Sequence, residues 1–514
     1  MKKGLSVLPS LSDRASGVLL HPTSLPGPHG SGDLGAGART FVDWLASGAQ
    51  RWWQMLPVGP AGYGNSPYSA QSAFAGNPML ISLDGLVEAG FLAKGDLSTK
   101  DVFASNRVDH VRVAEFRGRL LRAAFLKFEE RSEGKDSFLA FAEDNRAWLD
   151  DFALFRALKR AHGEQHWTAW ASEYRDRRPD ALMRARAAYA REIAFAKFEQ
   201  WAFDTQWRAL RAYSAARGIG LIGDIPLFVA HDSADVWAMP DLFRLDAAGN
   251  PEVVAGVPPD YFSKTGQRWG NPLYRWSEIR RRGYSWWIER VKSTLSRFDA
   301  IRLDHFIGFE RYWEIPAGEQ TAMKGRWMKG PGAELFEKIR AALDTLPLIA
   351  EDLGAVTPNV LKLRDQFKLP GIKILQFAFG TDLSARAFLP HNYGKRAVVY
   401  TGTHDHDTTM GWFSDPGGVE STRSPAQAEK ERAAVLAYLS STEVEVNWGL
   451  IRLALASVAN TAITPLQDLL GLGSEARMNR PGSASGNWEW RFSDSATSKA
   501  VASRLRELTM VYGR

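Results

Sequence analysis

The sequence predicts an α/β fold, a (β/α)8 barrel enlarged by two insertions. Three observations lead there: eight short apolar runs read as strands, helical segments alternate with most of them, and four runs end in an acidic residue. In chain order the runs are 17–27, 51–60, 218–228, 298–306, 346–354, 371–380, 397–405 and 459–471. Unbroken apolar stretches such as "LPLIAE" suit strands buried on both faces, as in a parallel sheet, rather than the alternation of a half-exposed one. Between them, "AGARTFVDWLASG", "ELFEKIRAAL" and "PNVLKLRDQF" repeat apolar residues at helical spacing. Eight strands with alternating helices close into a barrel.

The spacing is uneven. About 160 residues separate the second and third runs, too many for one crossover helix. This stretch, 61–216, reads as a helical insertion. Val113, Phe116, Leu120, Leu121, Ala124, Phe125 and Phe128 follow i, i+3, i+4 spacing, and a second helix is expected over roughly 181–216. A further insertion, 229–296, is rich in Gly, Pro and Trp and reads as irregular. The whole chain, 1–514, is read as one catalytic barrel domain carrying these two inserts.

Composition narrows the function. A content of 45 % hydrophobic and 24 % charged residues describes a globular protein. The net charge of +6 is mild for this length, and no dense basic tract with interleaved aromatics occurs, so nucleic acid is not an expected partner. Without cysteine there are no disulfides, thiolate metal sites or thiol nucleophiles, and a reducing, cytoplasmic setting is expected. The opening "MKKGLSVLPSLSDRASG" lacks the apolar core of a secretory signal, and "LIRLALASVANTAITPL" is too short and polar to span a bilayer. The 19 tryptophans are large amphipathic rings, expected to divide about equally between the core and a binding groove.

The chemistry is expected where the runs end. "LIGDIP" ends in Asp224, "IRLDHF" in Asp304, "LIAEDLG" in Glu351 and "YTGTHDHD" in Asp405. In a parallel barrel the C-terminal strand ends share the face on which active sites form. Four carboxylates converging there repel one another unless a site uses them. Glycosidic-bond chemistry uses such a set: one carboxylate attacks the anomeric carbon, another delivers a proton to the leaving oxygen, and a third holds sugar hydroxyls. Arg302, two residues before Asp304 and therefore on the same side of the strand, is placed to keep the nucleophile ionised. Solvated, functionless strand ends are the bland alternative. "HDHD" at 404–407 also admits a metal reading, with His404 and His406 as a ligand pair and His21, His231, His305 or His391 completing the shell.

At these motifs the sequence resembles the amylomaltases, the 4-α-glucanotransferases of glycoside hydrolase family 77 in the α-amylase clan. The resemblance rests on "AIRLDHFIGF", "LIAEDLG" and "YTGTHDHDT". It extends to "GVLLHPTSLPGPHGSGDLG", "YGNSPYSAQSAFAGNP" and "GVPPDYFSKTGQRWGNPLY", from about residue 16 to 492. It implies a TIM barrel without a C-terminal β-domain, no cofactor and no metal. Its substrates would be α-1,4-glucans such as maltooligosaccharides, amylose and glycogen, with glucose as an acceptor. By position, Asp304 corresponds to the nucleophile, Glu351 to the general acid/base and Asp405 to the transition-state carboxylate. Asp224, Arg302 and His404 correspond to sugar-binding or orienting residues, and Tyr68 to an aromatic stacking on the donor sugar. Tyr261, Phe262, Gln267, Trp269 and Asn271 fall in the acceptor loop, 256–274.

The implied reaction is a retaining double displacement through a glycosyl-enzyme, with the two carboxyls about 5–5.5 Å apart. One position departs from the family pattern: His406 stands where many members carry Asn. Strand alternation predicts that it points away from the sugar. The competing readings are a plain α-glucan hydrolase using the same carboxylates, a metal-dependent barrel hydrolase using His404 and His406, and a non-catalytic glucan-binding protein.

Overall fold

In a computed structural model of the chain, residues 7–98, 102–259, 263–418, 421–440, 445–483, 485–493 and 496–514 are described. Twelve strands occur among them. In chain order they are β1 (Ala15–Leu19), β2 (Trp52–Gln54), β3 (Gly220–Ile225), β4 (Val253–Val257), β5 (Gln267–Pro272) and β6 (Ala300–Leu303). There follow β7 (Arg311–Pro316), β8 (Arg326–Lys329), β9 (Leu348–Ala350), β10 (Gly371–Ile374), β11 (Ala397–Tyr400) and β12 (Thr461–Pro465). Eight of them close into a parallel barrel in the order β1-β12-β11-β10-β9-β6-β3-β2, and each lies at one of the eight apolar runs.

The barrel strands are almost wholly buried, as the unbroken apolar runs require: side chains of one parity fill the barrel and those of the other meet the helices. Close strand approach sets one glycine. A Cβ at Gly17 of β1 would lie 2.3 Å from the Trp52 carbonyl oxygen of β2. Inside, the Tyr400 hydroxyl of β11 donates to Gln54 Oε1 of β2 at 2.8 Å, so the layer beneath the C-terminal face is polar and satisfied.

Helix Ala36–Ser47 joins β1 to β2, helix Ala333–Leu343 precedes β9, and Pro358–Gln366 joins β9 to β10. Between β2 and β3 the chain is largely helical. Helix His110–Glu130, capped by Asp109 accepting from the Arg112 N–H, buries all seven residues of the predicted stripe. The single helix expected over 181–216 is two, Pro179–Ala188 and Ala190–Ala215, separated at Tyr189. The second of these packs back on β3, serving as the crossover helix a parallel pair needs. Arg117, 1 % exposed, anchors this insertion to the barrel loops: its guanidinium donates to the carbonyls of Ser31 and Ile81 and pairs with Asp33 at 3.0 Å.

Residues 229–296 are more regular than their composition predicts. β4 and β5 form an antiparallel hairpin, and β4 pairs on its other side with β7, which pairs with β8. This second sheet takes strands from two successive barrel loops, a long-range pairing that no local pattern announces. No β-domain follows β12 among the described residues; the chain closes with helix Lys499–Val511. No helix among them is long and apolar enough to cross a membrane.

The tryptophans depart from the even division expected of them. Fourteen of the 19 are buried, so core packing takes most of them.

Candidate active site

The parallel register builds the centre of the site. Asp224 of β3 and Arg302 of β6 are lateral partners, so their side chains leave the sheet on the same, inward side. Arg302 is 4 % exposed and reaches three carboxylates. Nη1 lies 2.6 Å from Asp224 Oδ2 and 3.0 Å from Asp304 Oδ1, and Nη2 lies 3.8 Å from Glu351 Oε2. One buried cation therefore replaces the repulsion expected among acidic strand ends, and each partner remains charge-assisted.

Asp304 and Glu351 follow the last residues of β6 and β9 and are tied across the strand pair. The Glu351 N–H donates to the Leu303 carbonyl at 3.1 Å, and the Phe306 N–H to the Glu351 carbonyl at 3.0 Å. Between those bonds, the His305 N–H donates to Glu351 Oε2. It can do so because His305 is left-handed (φ 52°, ψ 50°), a conformation that costs a non-glycine residue about 1–2 kcal/mol.

Asp405 arrives differently from the prediction. β11 ends at Tyr400, and Asp405 sits in a turn in which the His406 N–H donates to the Thr403 carbonyl at 3.2 Å. Its Oδ1 accepts from Asn479 Nδ2 at 2.6 Å, its Oδ2 lies 3.2 Å from His404 Nε2, and its carbonyl accepts from Arg477 at 2.8 Å. Strand alternation accordingly does not govern His406. Its Nδ1 accepts from the Thr403 N–H at 3.2 Å, and its ring meets Phe377 edge-on at 4.8 Å. The Tyr68 hydroxyl donates to Asp224 Oδ2 at 2.9 Å, and its ring stacks on His404 with centroids 5.2 Å apart.

The environments separate the carboxyls. Burial pushes Glu351 up to about 8; Arg302 opposes this and Asp304 adds to it. Burial also raises Asp224, to about 6, against Arg302. Asp304 is raised by burial and by Asp405, with Arg302 opposing. Burial would raise Asp405 too, but the neighbouring His404 and the Asn479 hydrogen bond outweigh it and hold that carboxyl well below the usual carboxylate range. Burial, with Asp224 beside it, keeps the Tyr68 hydroxyl protonated and hence a donor. A cluster with one proton-bearing carboxyl beside others that ionise lower suits acid/base chemistry.

The residues expected in an acceptor loop are distributed. Trp269 is 38 % exposed, and its ring meets His305 edge-on at 4.8 Å; its Nε1 donates to Gln267 Oε1 at 3.1 Å. Asn271 is engaged with the backbone: its Nδ2 donates to the Val229 carbonyl at 2.9 Å, tying the β4–β5 hairpin to the segment after β3. Tyr261 and Phe262 lie outside the described residues. The histidines weighed as metal ligands are dispersed, His231 donating to the Gly249 carbonyl and His391 bonding the Tyr438 hydroxyl. No three His, Cys, Asp or Glu side chains group as a metal shell among the described residues.

Sequence reasoning missed Asn479, Arg477 and Trp488. Trp488 flanks Tyr68 and His404 at 5.9 and 6.1 Å, and the Asn479 N–H donates to the His404 carbonyl at 3.1 Å. The only signal was a polar Gly/Pro/Asn stretch, "MNRPGSASGNWEW", which follows the last barrel strand. Replacing Asn479 with alanine removes a hydrogen bond to a charged carboxylate. The variant is expected to lose roughly tenfold in kcat, with the acid limb of its pH–rate profile, which Asp304 sets, left in place. An unchanged kcat would show that Asn479 does not support Asp405.

Comparison with known proteins agrees with this geometry. The family model described as 4-alpha-glucanotransferase matches residues 20–497. A 4-alpha-glucanotransferase of Thermus thermophilus is 50 % identical over 505 residues, covering 96 % of this chain and 98 % of the relative. A chloroplastic/amyloplastic 4-alpha-glucanotransferase of Solanum tuberosum is 41 % identical, covering 98 % of this chain and 86 % of the relative. Among solved structures, an amylomaltase from Streptococcus agalactiae in complex with acarbose superposes with a TM-score of 0.93 at 36 % identity, covering 98 % of this chain and 99 % of that one. With Asp224, Asp304 and Glu351 gathered on Arg302 at the C-terminal face of a closed parallel barrel, and Asp405 beside them, the chain belongs to the 4-alpha-glucanotransferase family.

Proposed function

We propose that this chain transfers a segment of an α-1,4-glucan to the 4-hydroxyl of another glucan or of glucose, by a retaining double displacement. The observation that carries the proposal is the shared contact of Asp304 and Glu351 with Arg302, at 3.0 and 3.8 Å; burial, which pushes Glu351 up to about 8, suits it to be the proton donor. Asp304 attacks the anomeric carbon while Glu351 protonates the departing glycosidic oxygen, leaving a glycosyl ester on Asp304. Glu351, now a carboxylate, takes the proton of the acceptor 4-hydroxyl as that oxygen displaces Asp304, and the α-linkage is restored. Two displacements at one carbon give retention, which needs the carboxyls about 5–5.5 Å apart.

Asp405, held ionised, meets the positive charge that develops on the sugar ring. Tyr68, Asp224 and His404 hold the donor glucose on one side, and Gln267 and Trp269 face the acceptor on the other. Absence of cysteine favours the cytoplasm as the setting.

The same carboxylates would serve hydrolysis, since water can replace the acceptor hydroxyl. Maltotriose separates the two readings. Transfer yields glucose and oligomers longer than the substrate at a constant number of reducing ends. Only shorter sugars, with reducing ends rising in step, would overturn the proposal in favour of a hydrolase.

A further inference from the structure

His305 is the residue the mechanism leaves unused, and its geometry is unusual in two respects. It follows Asp304 directly, and its left-handed backbone turns its N–H onto the Glu351 carboxylate. Asparagine and aspartate also tolerate that conformation, and glycine adopts it freely, so delivering the N–H needs no imidazole. The ring is nevertheless seated. The Trp269 indole meets it edge-on at 4.8 Å and 86°, and on another side a Cβ added to Gly308 would come within 3.0 Å of His305 Cδ2. Trp269 belongs to β5, in the hairpin that reaches over from the segment after β3; its own hydrogen-bond partner is Gln267 on the same strand. A continuous contact path therefore runs from that hairpin through one side chain to the backbone group that bonds Glu351.

We propose that His305 is a positioning residue that couples the Trp269 hairpin to the general acid/base, so that occupancy of the acceptor side alters how Glu351 is held. The inference rests on the assignment of Glu351 as acid/base made above. Burial pushes the His305 imidazole down to about 4, so the ring is neutral at working pH and brings no extra charge to the site. It excludes water from one flank of Glu351 while its N–H stabilises the carboxylate form. The other groups facing Glu351 are Arg302 and Asp304 from β6 and its end, and Tyr400 and Asp405 from β11 and the turn beyond it. None of them touches Trp269 through a ring contact among the described residues.

The test is the alkaline limb of the kcat/KM profile for a maltooligosaccharide donor, which reports the Glu351 proton. Trp269→Ala, on a partly exposed strand, and His305→Gly, which keeps the N–H and the left-handed backbone, both admit water beside Glu351. Each is expected to move the limb down by about 0.5 pH unit or more, and the double variant to move it no further than either single one. His305→Val, whose branched side chain resists the left-handed region, should lose the N–H bond and move the limb up. Should His305→Val fail to fold, the other three proteins still decide the matter. A Trp269→Ala enzyme that changes only the acceptor KM, with its limb unmoved, would overturn the coupling. So would additive shifts in the double variant. Neither result would touch the transferase reading, which fails only if the wild-type protein produces no longer oligomers from maltotriose.

Discussion

Asp304→Asn is expected to lower the rate of maltotriose disproportionation by at least about 10⁴-fold, while the variant still binds maltooligosaccharides. An amide cannot form the glycosyl ester, and it also removes the anionic partner that Arg302 Nη1 meets at 3.0 Å. The fold should survive, because that same Nη1 keeps Asp224 at 2.6 Å and no buried cation is stranded. Initial rates on maltotriose, with calorimetric titration of a maltooligosaccharide as the binding control, check both halves. Activity above about one hundredth of the wild type would remove Asp304 from the nucleophile's role.

Glu351→Gln is expected to lose about 10²–10⁴-fold with natural donors, but far less with α-maltosyl fluoride, whose leaving group needs no proton. Azide should then rescue turnover, since an anion needs no base, and the product should be the α-maltosyl azide. A β-azide would mean a single displacement and would overturn the retaining scheme. In the wild-type enzyme, transfer should decline as pH rises through about 8, because burial holds the Glu351 proton to that range and the acid form is the one the first step consumes. The acid limb should follow Asp304, which must be ionised to attack and whose carboxyl burial raises above its ordinary value.

The acidic strand ends were legible in the sequence because a parallel barrel converts chain position into spatial position. Whatever follows an apolar run lands on one face, so Asp304 and Glu351 converge without any local signal of proximity. Arg302 was legible for the same reason, since period-two alternation places it on the side of Asp304. Asp405 was identified correctly as a neighbour of this cluster, but the geometry given for it was wrong. Continuing the strand to 405 ignored the turn that Thr403 closes with His406. Asn479 and Trp488 were not legible, because the polar stretch containing them carries neither helical nor strand periodicity. They reach the site only through bonds and ring contacts made to the loops after β2 and β11. The tryptophan count misled for a related reason: residue type reports the capacity of a ring to bind sugar, and burial decides whether it is free to do so.

The sequence by itself determined the barrel, its eight strands and the acidic residues that end three of them, since burial on both faces leaves unbroken apolar runs that need no partner to be recognised. Only the tertiary structure decided how the charges are shared. Arg302 stands between Asp224, Asp304 and Glu351, Asn479 and His404 hold Asp405, and a left-handed His305 bonds Glu351. A proton's place depends on burial and on charges a few ångströms away, and those neighbours are brought together from strands and loops remote in sequence.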